Sequence, residues 1–429
     1  MRFREFELDA ERFQLRENGR PVRLERIPLE LGLLLAMNPA RLVTREEIVA
    51  RIWGVNHFFE SDSAINTAMR KLRKALRDDA ARPRLIETVP GKGYRFIGHA
   101  EGNGGAATAS AAPDPEAVRC FLRGRHAWNQ KTARDYEVAI DWFRQAIDRD
   151  AAFAPPLVGL AYCYLAMGIH GLQPAPDVFA RARAAAHAAL EIDPQQAEAM
   201  TALAEAAKGY DLDFARAEEG YQRALKINPD YAVAHQWYAN LLSITGRHED
   251  AIREAHEARR CDPLSVGTTG FVGYTLYRAR RFDQALAECR RTVEFHNTAP
   301  IAAWFLALVL LAMERAEEAE AHLEHTLERS HGAGMHAALL AFARARTGRR
   351  EEAHATLRTL EEAAKQRYVS PVDVATVHLG LGERGQAADL LERAIAERVM
   401  RATELPMPLY DEVRDDPRLA EFARRLKKD

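Results

Sequence analysis

Residues 61–76, SDSAINTAMRKLRKAL, decide how the N-terminal part of the chain folds. Their four apolar residues recur at i, i+4, i+7 and i+11, so a helix of 3.6 residues per turn places them on one face. Asp62 or Ser63 supplies an oxygen that can cap the first turn. Considered alone, the stretch is more typical of a solvated surface helix, and its neighbours decide its role. The apolar residues are Ile65, Met69, Leu72 and Leu76, and the residues predicted to face outward are Asn66, Thr67, Arg70, Lys71 and Lys74.

The sequence before this helix predicts a small sheet and an apolar helix. Residues 2–27 alternate in short runs, and Asn18-Gly19 between two of them is a turn signal typical of an antiparallel hairpin. Residues 29–37 are almost entirely apolar, and Pro39 ends the helix that they predict.

Two further signals complete a compact domain. Thr44 followed by Glu47 is a capping box, so a second helix begins there. After residues 61–76, two β-rich runs meet at residues 90–93, PGKG, which predicts a hairpin. A sheet, three helices and a terminal hairpin predict an α+β winged helix-turn-helix.

The charge of the chain is divided unevenly. Residues 1–100 carry 19 Lys and Arg against 14 Asp and Glu, a net charge of +5, whereas the remainder carries 41 against 48, a net charge of −7. The cationic excess therefore lies in the part that holds the outward-facing helix. This placement favours a polyanionic partner for that part alone.

The cysteines and the N-terminus limit the class of protein. The four cysteines form no C-x-x-C pair, so the sequence predicts neither a disulfide framework nor a zinc site. No run of about 18 apolar residues is present, and the N-terminus has no apolar signal region, which predicts a cytoplasmic protein without membrane contact. The cysteines are Cys120, Cys163, Cys261 and Cys289.

Residues 1–98 resemble the OmpR/PhoB-type winged-helix DNA-binding domain of bacterial response regulators. The resemblance lies in three stretches in the family's order, LELGLLLAMNPARLVTREEIVARIWG, INTAMRKLRKALRDD and PRLIETVPGKGYRF. It implies that residues 61–76 are the recognition helix in the major groove of double-stranded DNA, with Thr67, Arg70 and Lys71 near base edges. The full set of DNA-contacting residues that it implies is Ser63, Asn66, Thr67, Arg70, Lys71, Arg73, Lys74, Thr88, Lys92, Tyr94 and Arg95.

The chain departs from this family at the wing. The family usually has an arginine that enters the minor groove where this chain has Pro90, so Lys92 is expected to replace part of that charge. Tyr94 is open to two interpretations, a DNA contact or a core aromatic under the hairpin. Residues 53–59 correspond to a segment that touches RNA polymerase in relatives, although their aromatic residues are more typical of a core.

Beyond the winged helix, the sequence changes character twice. Residues 99–115 are rich in Gly, Ala and Pro and lack a periodic apolar pattern, which predicts a flexible linker. From there an alanine recurs every 34 residues, the period of the tetratricopeptide repeat (TPR). These alanines are Ala217, Ala251, Ala285, Ala319, Ala353 and Ala387.

Extending this register predicts an all-α solenoid. Residues 116–401 are expected to form a TPR superhelix of about eight helix pairs, and residues 402–429 a polar capping helix. The repeats resemble the TPR arrays of HilA-like and CadC-like regulators, here without a membrane span. The candidate ligand-lining residues, for which packing between repeats is the alternative, are Tyr162, Tyr164, Trp237, Tyr238, Tyr274, Tyr277 and Trp304.

The sequence offers little for catalysis or a cofactor. His322 and His325 are three residues apart with His331 beyond, but they do not follow the H-E-x-x-H order, and exposed helix histidines explain them better. The Gly-rich stretch lies in the predicted linker with no strand before it, so a phosphate-binding loop is not expected. We therefore predict neither enzyme activity, nor a metal site, nor a cofactor.

Together these observations predict a mainly α transcriptional regulator that binds DNA in a sequence-specific manner. Its TPR array is expected to receive a protein, a peptide or a small ligand and to control DNA binding or contact with RNA polymerase, including through a homodimer on DNA. The alternative is a TPR interaction scaffold in which the winged helix binds protein instead of DNA.

Overall fold

A computed structural model describes residues 2–3, 5–9, 14–22, 24–52, 61–98, 113–129, 133–263, 265–297, 299–327 and 334–426. The chain divides into two compact units. The first comprises Met1–Leu160 and His187–Gln196, and the second comprises Ala161–Ala186 and Ala197–Asp429. No helix within the described ranges is long and apolar enough to cross a membrane.

The predicted N-terminal sheet is confirmed as four antiparallel strands in the order β1-β2-β3-β4. Asn18 and Gly19 form the turn between β3 and β4, and both have positive φ values, of 49° and 78°. Two positive φ values belong to the hairpin turn whose twist matches that of the strands. The strands are β1 (Arg2–Phe3), β2 (Phe6–Asp9), β3 (Gln14–Glu17) and β4 (Arg20–Val22).

Three helices follow this sheet: α1 (Arg26–Ala36), α2 (Arg45–Ile52) and α3 (Ser61–Leu76). The first helix begins three residues earlier than predicted, because a proline is tolerated in a first turn whose N–H groups have no helical acceptor. The predicted cap of α2 is confirmed, since Thr44 Oγ1 accepts the Glu47 N–H at 3.1 Å.

The predicted hairpin is confirmed as β6 (Ile86–Val89) and β7 (Gly93–Phe96). A third strand that the sequence analysis did not predict, β5 (Leu42–Thr44), pairs with β7, so the order is β5-β7-β6. Gly93 permits this pairing, because a Cβ there would lie 2.1 Å from the Val43 carbonyl oxygen. The hairpin is thereby joined to the start of α2.

Sixteen helices in the described ranges follow as eight consecutive pairs. All six alanines of the 34-residue period are completely buried, since only a small side chain allows two helices to approach this closely. The pairs are α4 (Pro115–Asn129) with α5 (Ala133–Arg149), α6 (Pro155–Ile169) with α7 (Ala175–Ile192), α8 (Ala197–Ala206) with α9 (Phe214–Ile227), α10 (Ala232–Ile244) with α11 (His248–Cys261), α12 (Val266–Arg278) with α13 (Phe282–Phe295), α14 (Pro300–Ala312) with α15 (Ala316–Thr326), α16 (Gly334–Arg346) with α17 (Arg350–Ala364), and α18 (Pro371–Leu381) with α19 (Arg384–Ala396).

The end of the chain differs from the predicted capping helix over residues 402–429. Its α-helix, α20, covers only Pro417–Arg425. Two short 3-10 turns, Met400–Glu404 and Pro408–Tyr410, come before it. Pro406 and Pro408 explain the difference, because proline removes a helical N–H and disfavours helical backbone at the residue before it.

Candidate nucleic-acid interface

The outward face of α3 carries a row of exposed polar and cationic side chains. Asn66, Arg70 and Lys74 are exposed, and Thr67 is half-buried between them. Their spacing of three or four residues aligns them along the helix axis, opposite the apolar face. The structure thus presents four of the predicted residues on one surface.

Tyr94 joins this row to the wing and to α2. Its side chain is only 3% exposed, while its Oη donates a hydrogen bond to Asn66 Oδ1 at 3.0 Å. The Nη2 of Arg45 donates to both atoms, at 3.0 Å to Asn66 Oδ1 and 3.1 Å to Tyr94 Oη. Tyr94 is therefore a core aromatic whose hydroxyl orients a residue of the outward face.

Arg45 is a site residue that the sequence analysis missed. Its guanidinium lies 5.4 Å from the centroid of the Tyr94 ring, a cation–π distance, in addition to its hydrogen bond with Asn66. Arg45 is 21 residues away from Asn66 in sequence and belongs to another helix. Its position directly after the capping residue Thr44 was the available signal, but no periodicity links that position to the α3 face.

Arg73 and Thr88 hold α3 against the wing. The Nη2 of Arg73 donates to Thr88 Oγ1 at 2.7 Å and to the Ile86 carbonyl oxygen at 2.8 Å. The buried carboxylate of Asp78 accepts the N–H groups of the residues at which the chain enters β6, including Ile86 at 3.0 Å. These contacts fix the angle between the helix and β6.

The remaining predicted residues differ in their surroundings. The Nζ of Lys71 is bound by the carboxylate of Glu25 at 2.6 Å, at the start of α1. Lys92 is exposed at the wing tip, and Arg95 forms an ion pair with Glu87 on the neighbouring strand at 2.8 Å. The side chain of Ser63 and the predicted polymerase-contacting residues 53–59 lie outside the described residues.

A depression of about 470 Å³ lies between α3 and the wing. Four of its lining residues are cationic and two are anionic, so its net charge favours an anion such as a phosphate. The charged lining residues are Arg45, Arg70, Arg73, Lys74, Asp78 and Asp79.

The predicted ligand-lining aromatics of the repeats are mostly in contact with one another. The rings of Tyr162 and Trp237 lie 5.2 Å apart, and those of Tyr274 and Trp304 lie 6.1 Å apart. All seven except Trp237, which is half-buried, are less than 9% exposed. The other predicted members are Tyr164, which lies under the Arg181 guanidinium, Tyr238, which donates to Glu218, and Tyr277, which binds the Leu409 N–H.

Within the described residues, no group of three or more His, Cys, Asp or Glu side chains is arranged to hold a metal ion. His331, the third histidine of the sequence cluster, lies outside those residues.

Two protein families match parts of the chain. Residues 19–96 match the family described as "Transcriptional regulatory protein, C terminal". Residues 221–253 match a family described as "Tetratricopeptide repeat". The first match covers all of α3 and the wing hairpin, and the second covers a stretch from α9 to α11.

Curated relatives are similar over the winged helix. The uncharacterized transcriptional regulatory protein YcbL of Bacillus subtilis (strain 168) is 32% identical over 96 residues, which are 22% of this chain and 42% of the relative. The phosphate regulon transcriptional regulatory protein PhoB of Escherichia coli (strain K12) is 39% identical over 75 residues, 17% of this chain and 32% of the relative. The chain therefore spans less than half the length of these curated relatives.

Among solved structures, the DNA-binding domain of Klebsiella pneumoniae RstA in complex with the RstA box is 28% identical. The match covers 23% of this chain and 95% of that chain, with a TM-score of 0.21. Yeast Tom70 is 16% identical, with 93% of this chain and 84% of that chain covered and a TM-score of 0.46. From the family matches, residues 19–96 form an OmpR/PhoB-type DNA-binding domain of the transcriptional regulatory protein C-terminal family, joined in this chain to tetratricopeptide repeats.

Proposed function

We propose that the whole chain is a transcriptional regulator that binds DNA in a sequence-specific manner and receives its signal through the TPR array. The observation that carries the proposal is the exposed row on α3, whose member Asn66 is oriented by Arg45 and Tyr94 beside a cationic depression. A row of this kind can enter a major groove about 12 Å wide, because its own helix is about 10–12 Å across.

Base recognition is assigned to the centre of this row. Arg70 can bind guanine O6 and N7 with two hydrogen bonds, and Asn66 and Thr67 lie about one helical turn before it. Lys71 must first exchange the carboxylate of Glu25 for DNA, so its contribution is expected to be smaller. Lys74 and the wing residue Lys92 are exposed and suited to phosphates.

The contact between the winged helix and the first helix pair supports control by the repeats. Both belong to the same compact unit. The Nη2 of Arg125 on α4 donates to Glu30 Oε1 on α1 at 2.7 Å, and Glu30 is only 6% exposed. A shift of α4 would therefore act directly on α1, which packs against the apolar face of α3. Dimer formation on DNA and contact with RNA polymerase remain predictions.

The test has two steps. The full chain first selects duplexes from a random DNA library, and fluorescence anisotropy then measures its affinity for the selected duplex. We expect log K to fall by about 0.9 per neutralised phosphate for each unit of log salt. Arg70→Ala should weaken binding to the selected duplex by roughly 1 to 3 kcal/mol and relax specificity at one base position.

The matched control is Lys226→Ala, which removes an exposed cation from α9 and should leave DNA binding unchanged. If the wild-type chain selects no duplex, or binds with no dependence on salt, the DNA-binding proposal fails. The scaffold alternative, in which the winged helix binds protein, then takes its place.

A further inference from the structure

The stretch that precedes α20 crosses the kind of surface with which TPR arrays bind ligands. We call residues 399–414 the C-terminal segment, and the surface formed by the first helices of the pairs in the second unit the first-helix face. The segment touches α12, α14, α16 and α18 as well as the Ala207–Asp211 turn that extends α8. These elements are first helices or extend one, and the segment also contacts α19, the second helix that precedes it in the chain. Most contacts of the segment with other elements are therefore on the first-helix face.

Apolar side chains of the segment are completely enclosed there. Met407 and Tyr410 are 0% exposed, and Leu405 is 1% exposed. The side chain of Met400 covers Gly209 so closely that a Cβ at that glycine would lie 2.3 Å from the methionine Cε. A short peptide-like stretch thus fills a surface that in TPR arrays binds extended peptides.

Polar contacts fix the C-terminal part of the segment, residues 409–412. The Leu409 N–H donates to Tyr277 Oη at 2.9 Å. The Asp411 carboxylate accepts two hydrogen bonds from Arg280, at 2.6 and 2.7 Å. The next residue, Glu412, forms an ion pair with Arg346 of α16 at 2.5 Å. This end of the first-helix face is therefore cationic and binds two consecutive carboxylates.

The backbone of Arg280 is left-handed, like that of Leu212 and Glu314 at the equivalent turns of other pairs. Positive φ recurs every 34 residues between the helices of a pair, and glycine occupies three of these six positions. Arg280 has a φ of 60°, which is unfavourable for a residue with a Cβ. Its side chain binds Asp411, which also pairs with Arg414 inside the segment. A second, buried ion pair joins Arg401 of the segment to Asp373 of α18.

The contact between the segment and the first-helix face is not fully satisfied. Arg278 is only 4% exposed, and it donates from Nη1 to Tyr274 Oη at 3.2 Å. Its Nε and Nη2 have no acceptor among the described residues. Buried donors without acceptors weaken an interface, so a ligand that supplied an oxygen here would bind better than the segment does.

We propose that the C-terminal segment is an internal ligand that keeps the first-helix face closed, and that the signal is a peptide of another protein that displaces it. This inference rests on the proposed function, because it names the partner of the TPR array. The segment itself defines the chemistry of that partner, namely an arginine that pairs with Asp373, then large apolar side chains, then two consecutive carboxylates.

The test uses a fluorescein-labelled peptide of residues 399–414 and the full chain. In the wild type the attached segment competes at a millimolar effective concentration, so little peptide should bind. A double variant, Asp411→Ala with Glu412→Ala, weakens only the attached segment and leaves the cationic groups of the face in place. We expect its affinity for the peptide to be at least tenfold higher than that of the wild type.

Two controls accompany this variant. Asp415→Ala removes an exposed carboxylate just beyond the segment and should behave like the wild type. Adding Arg280→Gly to the double variant should abolish the gain, because the peptide then loses the partner of its own Asp411. Glycine occupies three of the five equivalent turns, so this change also removes the strain at position 280.

Equal affinity of the double variant and the wild type for the peptide would overturn the inference, as would the absence of peptide binding to both.

If the double variant does not fold, hydrogen exchange of the Leu409 amide in the single variant Arg280→Gly decides whether the segment opens. Exchange at least tenfold faster than in a Glu314→Gly control supports a segment that opens. An unchanged exchange rate would show that the C-terminal segment is a fixed part of the fold, and it would overturn the inference. Light scattering measures the mass of each variant. A variant with twice the mass of one chain that does not bind the peptide would show that a second copy of the chain occupies the first-helix face, and this result also overturns the proposal.

The DNA assay separates this inference from the proposed function. Peptide binding is measured without DNA, so a failed DNA assay contradicts the proposed function alone. Peptide that binds the double variant and changes its affinity for the selected duplex by threefold or more supports displacement as the signal. Peptide that binds without any such change overturns the regulatory half of the inference.

Discussion

Asp78 shows how a single carboxylate can position a recognition surface. Its Oδ1 accepts the N–H groups of Arg84 at 2.7 Å and of Leu85 at 3.0 Å, and its Oδ2 accepts the N–H of Ile86 at 3.0 Å. These residues lie where the chain leaves α3 and enters β6. Since buried N–H groups need acceptors, the carboxylate determines where the wing begins relative to the helix.

We predict that Asp78→Ala destabilises the winged helix by about 3 kcal/mol, because up to three N–H groups lose their acceptor. The measurement is hydrogen exchange of the β6 amides in the full chain. Asp79→Ala is the control, since Asp79 is exposed and accepts a single N–H, from Ala81. An effect of Asp78→Ala no larger than that of the control would show that Asp78 does not hold the wing.

At the scale of elements, the repeats share one backbone feature. The turn between the two helices of a pair has a left-handed residue at every 34th position in the described chain from residue 212 to residue 382. Glycine reaches this conformation without strain, and the residues with a Cβ reach it at a cost. The positions with left-handed backbone are Leu212, Gly246, Arg280, Glu314, Gly348 and Gly382.

Gly348→Ala is therefore expected to lower the free energy of unfolding of the repeats by about 1 kcal/mol. Nothing lies within 4 Å of the position that a Cβ would take at Gly348, so the effect would come from the backbone φ of 87° alone. Thermal unfolding followed by circular dichroism measures it.

Gly385→Ala is the matched control. Gly385 lies inside α19 and also has open space where a Cβ would be, but its φ is not left-handed. Alanine is the better helix former, so this change should be neutral or stabilising by up to about 1 kcal/mol. The same sign of effect for both substitutions would contradict the backbone explanation.

At the scale of the whole molecule, the first compact unit extends beyond the DNA-binding domain. It contains the winged helix together with α4, α5 and neighbouring stretches of the repeats. The ion pair between Arg125 and the nearly buried Glu30 crosses from the repeats to the winged helix within this unit. A shift of α4 would therefore act on α1 through this contact.

We predict that Arg125→Met weakens the attachment of α4 by roughly 2 to 3 kcal/mol, because a buried carboxylate loses a cationic partner. Faster hydrogen exchange in α1 and α4 is the readout, together with a change in affinity for the selected duplex. Arg119→Met is the control on the same helix, where the arginine pairs with Glu116 at an exposed site. Equal effects of both changes would mean that the repeats do not act on the winged helix through this ion pair.

Periodicity was sufficient to predict much of this structure. The apolar residues of α3, the turn at Asn18 and Gly19, the cap at Thr44 and the 34-residue alanine repeat are all local patterns. The first three depend on residues within a few turns of the chain, and the repeat depends on a fixed period of 34 residues, so the sequence reveals each of them directly. The OmpR/PhoB-type domain and the TPR repeats were recognisable for the same reason, and both are confirmed by the family matches.

Contacts between distant residues were not predictable in this way. Arg45 reaches Asn66 only because β5, which has no strong strand signal, pairs with β7 and brings α2 beside the wing. Arg70 and Lys71 are neighbours on the face of α3 that was predicted to be cationic, but Glu25, at the start of α1, binds only Lys71 of the two. The local sequence pattern cannot distinguish two side chains that differ only in a partner from a distant part of the chain.

The sequence by itself determined the helices, the winged domain, the repeat period and the cationic face of α3, because these depend on the spacing of neighbouring residues. Only the tertiary structure decided that Asp78, and not the adjacent Asp79, holds the wing. It also decided that residues 399–414 lie on the first-helix face instead of forming a capping helix. Both outcomes depend on which distant surfaces meet, and burial there selects partners that no local spacing specifies.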